Sequence, residues 1–200
     1  MKLKIVFMFL VFLSFLSMAS AWADNESIVQ KINGCNTLNT TNAVYTLNQS
    51  INSSFSCLII NATNITLNCA GYNITYGNAT GGWGIAVTDE EGVGQPGYNN
   101  VTIKNCSIIQ NTSSSGVNES AIFFGQGSVN GNVYNNTIVV YGNETSGIVF
   151  EGDSVSANIS LNNITTSGIK AHGIYLGEGG AVLILVAIEL QLLEKIHQEL

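Results

Sequence analysis

The chain has 200 residues, of which 46% are hydrophobic and 10% are charged, and its formal net charge is −7. This composition is sufficient for one domain with a hydrophobic core and excludes a chain that is disordered over most of its length. All basic residues are lysines, and only Lys31, Lys104 and Lys170 lie between residues 24 and 180. No basic patch is available to hold phosphate groups, so nucleic acid is excluded as a partner.

Residues 1–23 have the pattern of a secretory signal peptide. Two lysines precede an apolar run over residues 5–16, and small residues follow, with A-x-A sites that end at Ala21 and Ala23. The pattern predicts export to the cell surface or beyond it. An uncleaved membrane anchor is the alternative, because residues 5–21 approach the shortest span that crosses a bilayer. We expect no stable membrane span after this segment.

The rest of the chain repeats with a period of about 26 residues, a length typical of repeat proteins. The pair Gly147-Ile148 recurs one period later as Gly173-Ile174, and Ala121-Ile122 lies one period upstream. An earlier copy, Gly84-Ile85, precedes Ala121-Ile122 by more than one period, and the excess indicates an insertion of about 11 residues into the repeat. We place the insertion at residues 88–100, which contain the only proline.

Each period contains short alternating runs such as "VTIKNCSI", "GIVF" and "NISLNNIT", rich in Ile, Val and Thr and bounded by Gly and Asn. Such runs predict strands, and nothing between Asn33 and Gly180 predicts a helix of useful length. Short strands joined by Asn and Gly turns at a fixed period predict an all-β, right-handed parallel β-helix over residues 24–180, with about five to six coils. A β-sandwich is the alternative, but its strands would need no fixed period.

Stacking of the coils predicts two ladders of equivalent side chains. An aliphatic ladder would face the core, and an asparagine ladder would lie at a turn. The members of the aliphatic ladder are Ile85, Ile122, Ile148 and Ile174, and those of the asparagine ladder are Asn105, Asn135 or Asn136, and Asn162.

The stretch "NATNITLNCAGYNIT", residues 61–75, resembles the opening coil of right-handed β-helix proteins of the pectin-lyase-like class. The pattern N-V-T-L-D-x-x-G-x-x-I is common there, and here it reads "NITLN" followed by Gly71 and Ile74. The resemblance covers roughly residues 35–177. It implies the fold but no single activity, because the class contains lyases, hydrolases, epimerases and non-catalytic surface proteins. Lyases of this fold commonly use an arginine, which this chain lacks, so the resemblance implies no catalytic residue.

Four cysteines, an even number, predict two disulfides in an exported protein. Spacing alone allows three pairings. We favour Cys35 with Cys57 and Cys69 with Cys106, since each pair then joins neighbouring segments of a repeating fold. A zinc site is not expected, because no C-x-x-C motif occurs and both histidines lie far from the cysteines.

Acidic residues cluster just after the Gly-Ile strands and predict a broken line of carboxylates along one edge. No cofactor is expected, although such a line could bind Ca²⁺ or supply an acid and base for sugar cleavage. The simpler interpretation is a solvated edge that keeps the protein soluble. The candidate residues are Asp89, Glu90, Glu91, Glu151, Asp153 and Glu178.

Sequons of the type N-x-S/T contain 16 of the 25 asparagines. They indicate an N-glycosylated surface protein. The alternative is that a turn asparagine followed by a strand threonine produces the pattern without any glycan. The candidate acceptors are the loop asparagines Asn78, Asn111, Asn118 and Asn143.

Residues 181–200 form an atypical tail, in which Asn, Gly, Ser and Thr give way to Leu, Ile and Glu. One interpretation is a short C-terminal helix that caps the last strand edge. The other is a frameshift that truncates the β-helix, because a shifted reading frame permits a further Gly-Ile pair in phase with the repeat. The nucleotide sequence decides between them.

These features predict a secreted or cell-surface β-helix that binds polysaccharide or surface glycans as an adhesin or envelope module without catalysis. On the frameshift interpretation of the tail, this β-helix is truncated. The alternative is a polysaccharide lyase or glycoside hydrolase that acts on an acidic polysaccharide. Carboxylates that converge on one groove would favour the enzyme.

Overall fold

The computed structural model describes residues 27–77, 82–88, 97–111, 119–152 and 156–177, and the backbone of residues 183–186 and 189–192. The expected signal peptide, residues 1–23, lies outside these ranges. The described residues form short strands throughout: β1 (Ile28–Ile32), β2 (Asn36–Leu38), β3 (Ala43–Leu47), β4 (Ile51–Asn52), β5 (Leu58–Ile60), β6 (Thr66–Asn68), β7 (Asn73–Tyr76), β8 (Trp83–Val87), β9 (Thr102–Lys104), β10 (Ser107–Gln110), β11 (Ser120–Phe124), β12 (Asn132–Tyr134), β13 (Thr137–Val140), β14 (Ser146–Phe150), β15 (Ala157–Ser160), β16 (Asn163–Thr166), β17 (His172–Leu176), β18 (Leu183–Val186) and β19 (Glu189–Leu192).

The strands form three parallel sheets that run along a common axis. Sheet A has the order β1-β3-β6-β9-β12-β15-β18, sheet B the order β2-β5-β8-β11-β14-β17, and sheet C the order β4-β7-β10-β13-β16-β19. From β3 onward each coil visits sheet A, then sheet C, then sheet B. Five such three-strand coils run from β3 to β17, with β1 and β2 before them and β18 and β19 after them. The parallel β-helix that the repeat predicts is therefore confirmed.

The aliphatic ladder lies in sheet B, whose strands contain the repeated Gly-Ile pairs. Ile122 pairs with Ile85 on one side and with Ile148 on the other, and Ile148 pairs with Ile174. The first three are fully buried, and Ile174 is half-buried against the same core. Inward-facing residues of the three sheets fill the interior, so the ladder forms one wall of a continuous hydrophobic core.

The extra residues before Ile122 are divided between two loops. Ile85 pairs with Ile122, and Ile103 pairs with Val133. The segment from Ile85 to Ile103 is therefore equivalent to the segment from Ile122 to Val133, but it contains more residues. This difference accounts for most of the extra residues, which therefore precede β9, and the remainder lie between β10 and β11. The placement of the whole insertion at residues 88–100 was wrong in this respect, because a repeat period gives the total length of an insertion but not its distribution.

The two disulfides join adjacent coils near the N-terminal end. Cys35 is bonded to Cys57, and Cys69 is bonded to Cys106, which is the pairing favoured from the sequence. Cys69 and Cys106 are both buried at the turn from sheet A to sheet C. The second bond therefore fastens two successive turns inside the core.

The expected asparagine ladder is in fact two neighbouring columns. In the outer column, Nδ2 of Asn135 donates to Oδ1 of Asn105 (2.7 Å), and Nδ2 of Asn105 donates to Oδ1 of Asn68 (2.9 Å). In the buried column, Nδ2 of Asn136 donates to Oδ1 of Asn162 (2.9 Å). The single ladder that joined Asn105 to Asn162 was wrong, because the strand register places these residues one position apart.

A further asparagine column, which the sequence did not reveal, lies at the turn from sheet B to sheet A. Each Nδ2 donates to Oδ1 of the asparagine one coil earlier, at 2.8 to 3.0 Å. All members have a φ between 56° and 63°, a left-handed conformation that asparagine tolerates better than most residues. The column consists of Asn42, Asn64, Asn100 and Asn130.

The described part of the tail is strand rather than helix. β18 pairs with β15 in sheet A, and β19 pairs with β16 in sheet C, so each lies one repeat period beyond its partner. The capping helix is therefore not found in residues 183–186 and 189–192. The part of the chain that the structure describes also contains no helix long and apolar enough to span a membrane.

Candidate ligand-binding groove

A groove of about 620 Å³ lies on the outer face of sheet B, and we refer to it as the sheet-B groove. Its floor consists of two rows of side chains that successive coils place in register. These rows are Ser120, Ser146 and His172, and Phe123, Val149 and Tyr175. Phe123 is not part of the interior core cluster, unlike its neighbours Ile122 and Phe124. The floor is therefore separate from the hydrophobic core and faces outward.

Aromatic rings line the floor. Trp83 lies one coil before Phe123, and their rings stack with centroids 4.9 Å apart. The Trp83 ring covers Phe123, which is 6% exposed, whereas Tyr175 is 44% exposed. The ring of His172 lies 5.7 Å from that of Tyr175. Of the tyrosine and phenylalanine rings that line the groove, Tyr175 is therefore the one more open to a ligand.

Glu119 lines one wall of the groove, and its carboxylate accepts a hydrogen bond from the buried side chain of Gln110. It lies just before β11 and is 2% exposed. The side-chain oxygen of Gln110 accepts hydrogen bonds from the backbone N–H groups of Tyr141 (2.8 Å) and Gly142 (2.9 Å). This leaves the Gln110 Nε2 to donate to Oε2 of Glu119 at 2.5 Å. The turn after β13 therefore fixes the orientation of the Glu119 carboxylate.

Glu119 also affects a tyrosine of the core. The pKa of Tyr76 is raised well above its usual value, mainly because the phenol is buried and also because the carboxylate of Glu119 opposes a second negative charge. The Tyr76 hydroxyl has no hydrogen-bond partner among the described residues. Tyr76 is therefore harder to ionise in the folded protein than an exposed tyrosine.

Two further carboxylates complete the acidic lining. Glu144 and Lys170 occupy equivalent positions before β14 and β17, and Lys170 Nζ lies 3.1 Å from Glu144 Oε1. The side chain of Glu144 is 43% exposed and that of Lys170 is 72% exposed. Because both are substantially exposed, this ion pair adds little to stability. Glu151 follows β14 at the other end of the strand and is exposed. Acidic side chains therefore line the groove at both ends of the sheet-B strands.

Of the acidic edge expected from the sequence, the structure describes only Glu151, which lines the groove. Asp89, Glu90, Glu91, Asp153 and Glu178 lie outside the described residues. Glu119 and Glu144 were not predicted, because the predicted edge contains only acidic residues that follow the ladder isoleucines, whereas these two glutamates precede Ile122 and Ile148 by three and four residues.

The glycosylation candidates have different environments. Asn143 is exposed at the turn before β14, and its Oδ1 accepts a hydrogen bond from the backbone N–H of Ile169 (2.9 Å). Asn111 is half-buried after β10. Asn78 and Asn118 lie outside the described residues. Four other sequon asparagines are ladder members whose Nδ2 groups donate hydrogen bonds: Asn64, Asn100, Asn105 and Asn135.

Within residues 27–177 as far as they are described, no group of three or more His, Cys, Asp or Glu side chains is close enough to hold a metal ion. No protein-family model, curated protein or solved structure matches the chain. The functional argument therefore depends on the groove itself.

Proposed function

We propose that the protein is a secreted or cell-surface β-helix that binds glycans, without catalysis, in the sheet-B groove. The observation that supports this most directly is the exposed ring of Tyr175 beside polar side chains in an open groove. A sugar presents C–H groups on one face and hydroxyl groups around its edge, so an aromatic face next to hydrogen-bonding groups suits it. Ser146, His172 and Glu151 supply such groups along the groove.

The cellular location is part of the same proposal. Two disulfides suit an oxidising compartment, and the N-terminal sequence has the pattern of an export signal. The "NITLN" motif and the observed β-helix also support membership of the pectin-lyase-like class, which includes non-catalytic surface proteins. We therefore place the groove outside the cell, where polysaccharides are available to it.

Glycan binding is tested with the exported full-length protein on a glycan array, followed by calorimetry with the glycans that bind. Tyr175→Ala is expected to weaken binding at least tenfold, because it removes the stacking face. Tyr72→Ala is the matched control, because Tyr72 is 39% exposed and does not line the groove. Equal effects of the two variants, or no binding to any glycan, would overturn the proposal.

A glycosidase or lyase is the second candidate, and the observation that favours it is that Glu119, Glu144 and Glu151 all line one groove. An enzyme would release new sugar ends from the glycans that it binds. Glu119→Gln would then abolish release while binding persists, since Gln110 would still face a side-chain oxygen. Release of sugar ends by the wild-type protein would contradict the non-catalytic function.

Glycosylation of the protein itself is also proposed, with Asn143 as the acceptor because its amide is exposed in a turn. Mass spectrometry of the protein purified from its own cells would show a glycan on the peptide that contains Asn143. The Asn143→Gln variant would lose that mass. An unmodified Asn143 in the secreted protein would disprove this assignment.

A further inference from the structure

The charges of the sheet-B groove bear on which glycans it accepts. Every aspartate or glutamate side chain that the structure describes between residues 27 and 177 lines this groove, and there are three: Glu119, Glu144 and Glu151. The cations among the lining residues are Lys170 and, when protonated, His172. Carboxylates therefore outnumber cations even with the imidazole counted as charged, and the amine of Lys170 is already paired with Glu144.

The groove also contains polar groups suited to a hydroxyl-rich ligand. Glu119 is almost fully buried and held by Gln110, so it can accept a hydrogen bond without first losing rotamer freedom. Ser120, next in the chain, is 1% exposed and lines the groove, and its Oγ has no hydrogen-bond partner among the described residues. An unpaired buried hydroxyl is costly, and a rotation of the Ser120 side chain that brings its Oγ to a ligand hydroxyl would offset that cost.

From this arrangement we infer that the groove selects glycans without acidic groups and rejects polyuronates and sulfated chains. The inference depends on the proposed glycan-binding function and specifies its ligand class. Neutral sugars donate their hydroxyl hydrogens to the carboxylates, whereas each uronate would bring a negative charge close to at least one of them. Specificity follows from this repulsion as much as from the favourable contacts. The inferred preference for neutral glycans disagrees with the acidic polysaccharide that the sequence suggested as the substrate of an enzyme.

The test measures the affinity of the full-length protein for hexasaccharides of equal length. The neutral probes are hexamers of glucose, xylose, mannose and N-acetylglucosamine, and the acidic probes are hexamers of galacturonate and mannuronate. At low salt at least one neutral probe is expected to bind at least tenfold more tightly than either acidic probe. The difference should shrink in about 0.5 M salt, because the screening length falls below the size of the groove.

Charge variants give effects of opposite sign. Glu144→Gln combined with Glu151→Gln is expected to raise the affinity for hexagalacturonate about tenfold at low salt. Lys170→Gln is expected to lower the affinity for hexagalacturonate below that of the wild-type protein. Lys104→Gln is the matched control, because it removes the same charge from sheet A, where Lys104 lies over the ring of Tyr134. The control should change the affinity for hexagalacturonate less than twofold.

The outcomes separate the inference from the proposed function. Tighter binding of an acidic probe than of every neutral probe would overturn the inference and leave glycan binding intact. Failure of all probes and of the wider array to bind would overturn glycan binding itself. Equal effects of Lys170→Gln and Lys104→Gln would also overturn the inference, because the groove would then have no special role.

Discussion

Asn136 and Asn162 continue a column that begins with the disulfide between Cys69 and Cys106. The Oδ1 of Asn136 accepts a hydrogen bond from the backbone N–H of Cys106 (2.9 Å), and its Nδ2 donates to Oδ1 of Asn162 (2.9 Å) and to the Ile103 carbonyl (3.2 Å). Both asparagines are 2% exposed. A covalent bond joins the first two coils of this column, and amide hydrogen bonds join the later ones.

The first prediction concerns this buried column. Asn136→Ala removes the partners of several buried polar groups, among them the Cys106 N–H. Each orphaned group costs about 1–3 kcal/mol, so we expect the free energy of unfolding to fall by about 3 kcal/mol. Denaturation in urea, followed by circular dichroism, measures the change.

Asn135→Gly is the control for the asparagine column. Asn135 is exposed, has a φ of 54° and contributes its side chain to the outer ladder. Glycine keeps the left-handed conformation without strain, so the loss should stay below about 1 kcal/mol. A loss as large as that of Asn136→Ala would contradict the distinction between a buried and an exposed column.

The second prediction explains the Gly-Ile pairs. A Cβ at Gly147 would lie 2.6 Å from the Gly173 carbonyl oxygen and 2.6 Å from the Ile164 Cγ2. Gly147→Ala must therefore displace the next coil, and we expect a loss of about 2 kcal/mol in the free energy of unfolding. Gly34→Ala is the control, because its Cβ would meet no atom within 4 Å. If both variants were equally stable, steric crowding would not explain the regular spacing of the pairs along the chain.

Crowding of this kind is also why the period was readable from the sequence. Small residues precede the ladder isoleucines wherever the backbone of one coil approaches the next, and they leave a visible repeat. Asn135 and Asn136 are adjacent and identical, so the residue types do not tell which one is buried. Only the strand register decides this, because a shift of one residue exchanges the inward and outward faces. The groove was harder still to predict, because Glu119 and Glu144 precede the ladder residues at different offsets, and only folding brings them together with Glu151.

The third prediction concerns the disulfides. The bond between Cys69 and Cys106 closes a separation of 37 residues, against 22 for Cys35 and Cys57. The loop-entropy model assigns about 4 and about 3 kcal/mol to these closures. Replacing both cysteines of the buried pair by alanine should lower the free energy of unfolding more than replacing the other pair, because the replacement also leaves a cavity in the core. Urea denaturation of the two double variants measures the difference, and a larger loss for the Cys35 and Cys57 pair would contradict this expectation.

The fourth prediction concerns Tyr76, whose buried hydroxyl has no hydrogen-bond partner among the described residues. Tyr76→Phe removes this unsatisfied group, so we expect the free energy of unfolding at pH 7 to rise by about 1 kcal/mol. Tyr45→Phe is the control, because the Tyr45 hydroxyl oxygen accepts a hydrogen bond from the Thr40 N–H (3.1 Å). That variant should lose about 1 kcal/mol, and a loss in both variants would show that the Tyr76 hydroxyl is satisfied in solution.

The raised pKa of Tyr76 also predicts how stability depends on pH. The folded protein holds the phenol proton more tightly than the unfolded chain, whose tyrosines titrate near the usual value of 10.0. The stability that this proton contributes is fully present below pH 10 and is lost as the pH rises further, by up to about 1.4 kcal/mol per pH unit. Tyr76→Phe lacks this proton, so its advantage over the wild-type protein should grow between pH 10 and pH 11. Urea denaturation at a series of pH values measures this difference, and a constant difference would mean that Tyr76 ionises as readily in the folded state as in the unfolded chain.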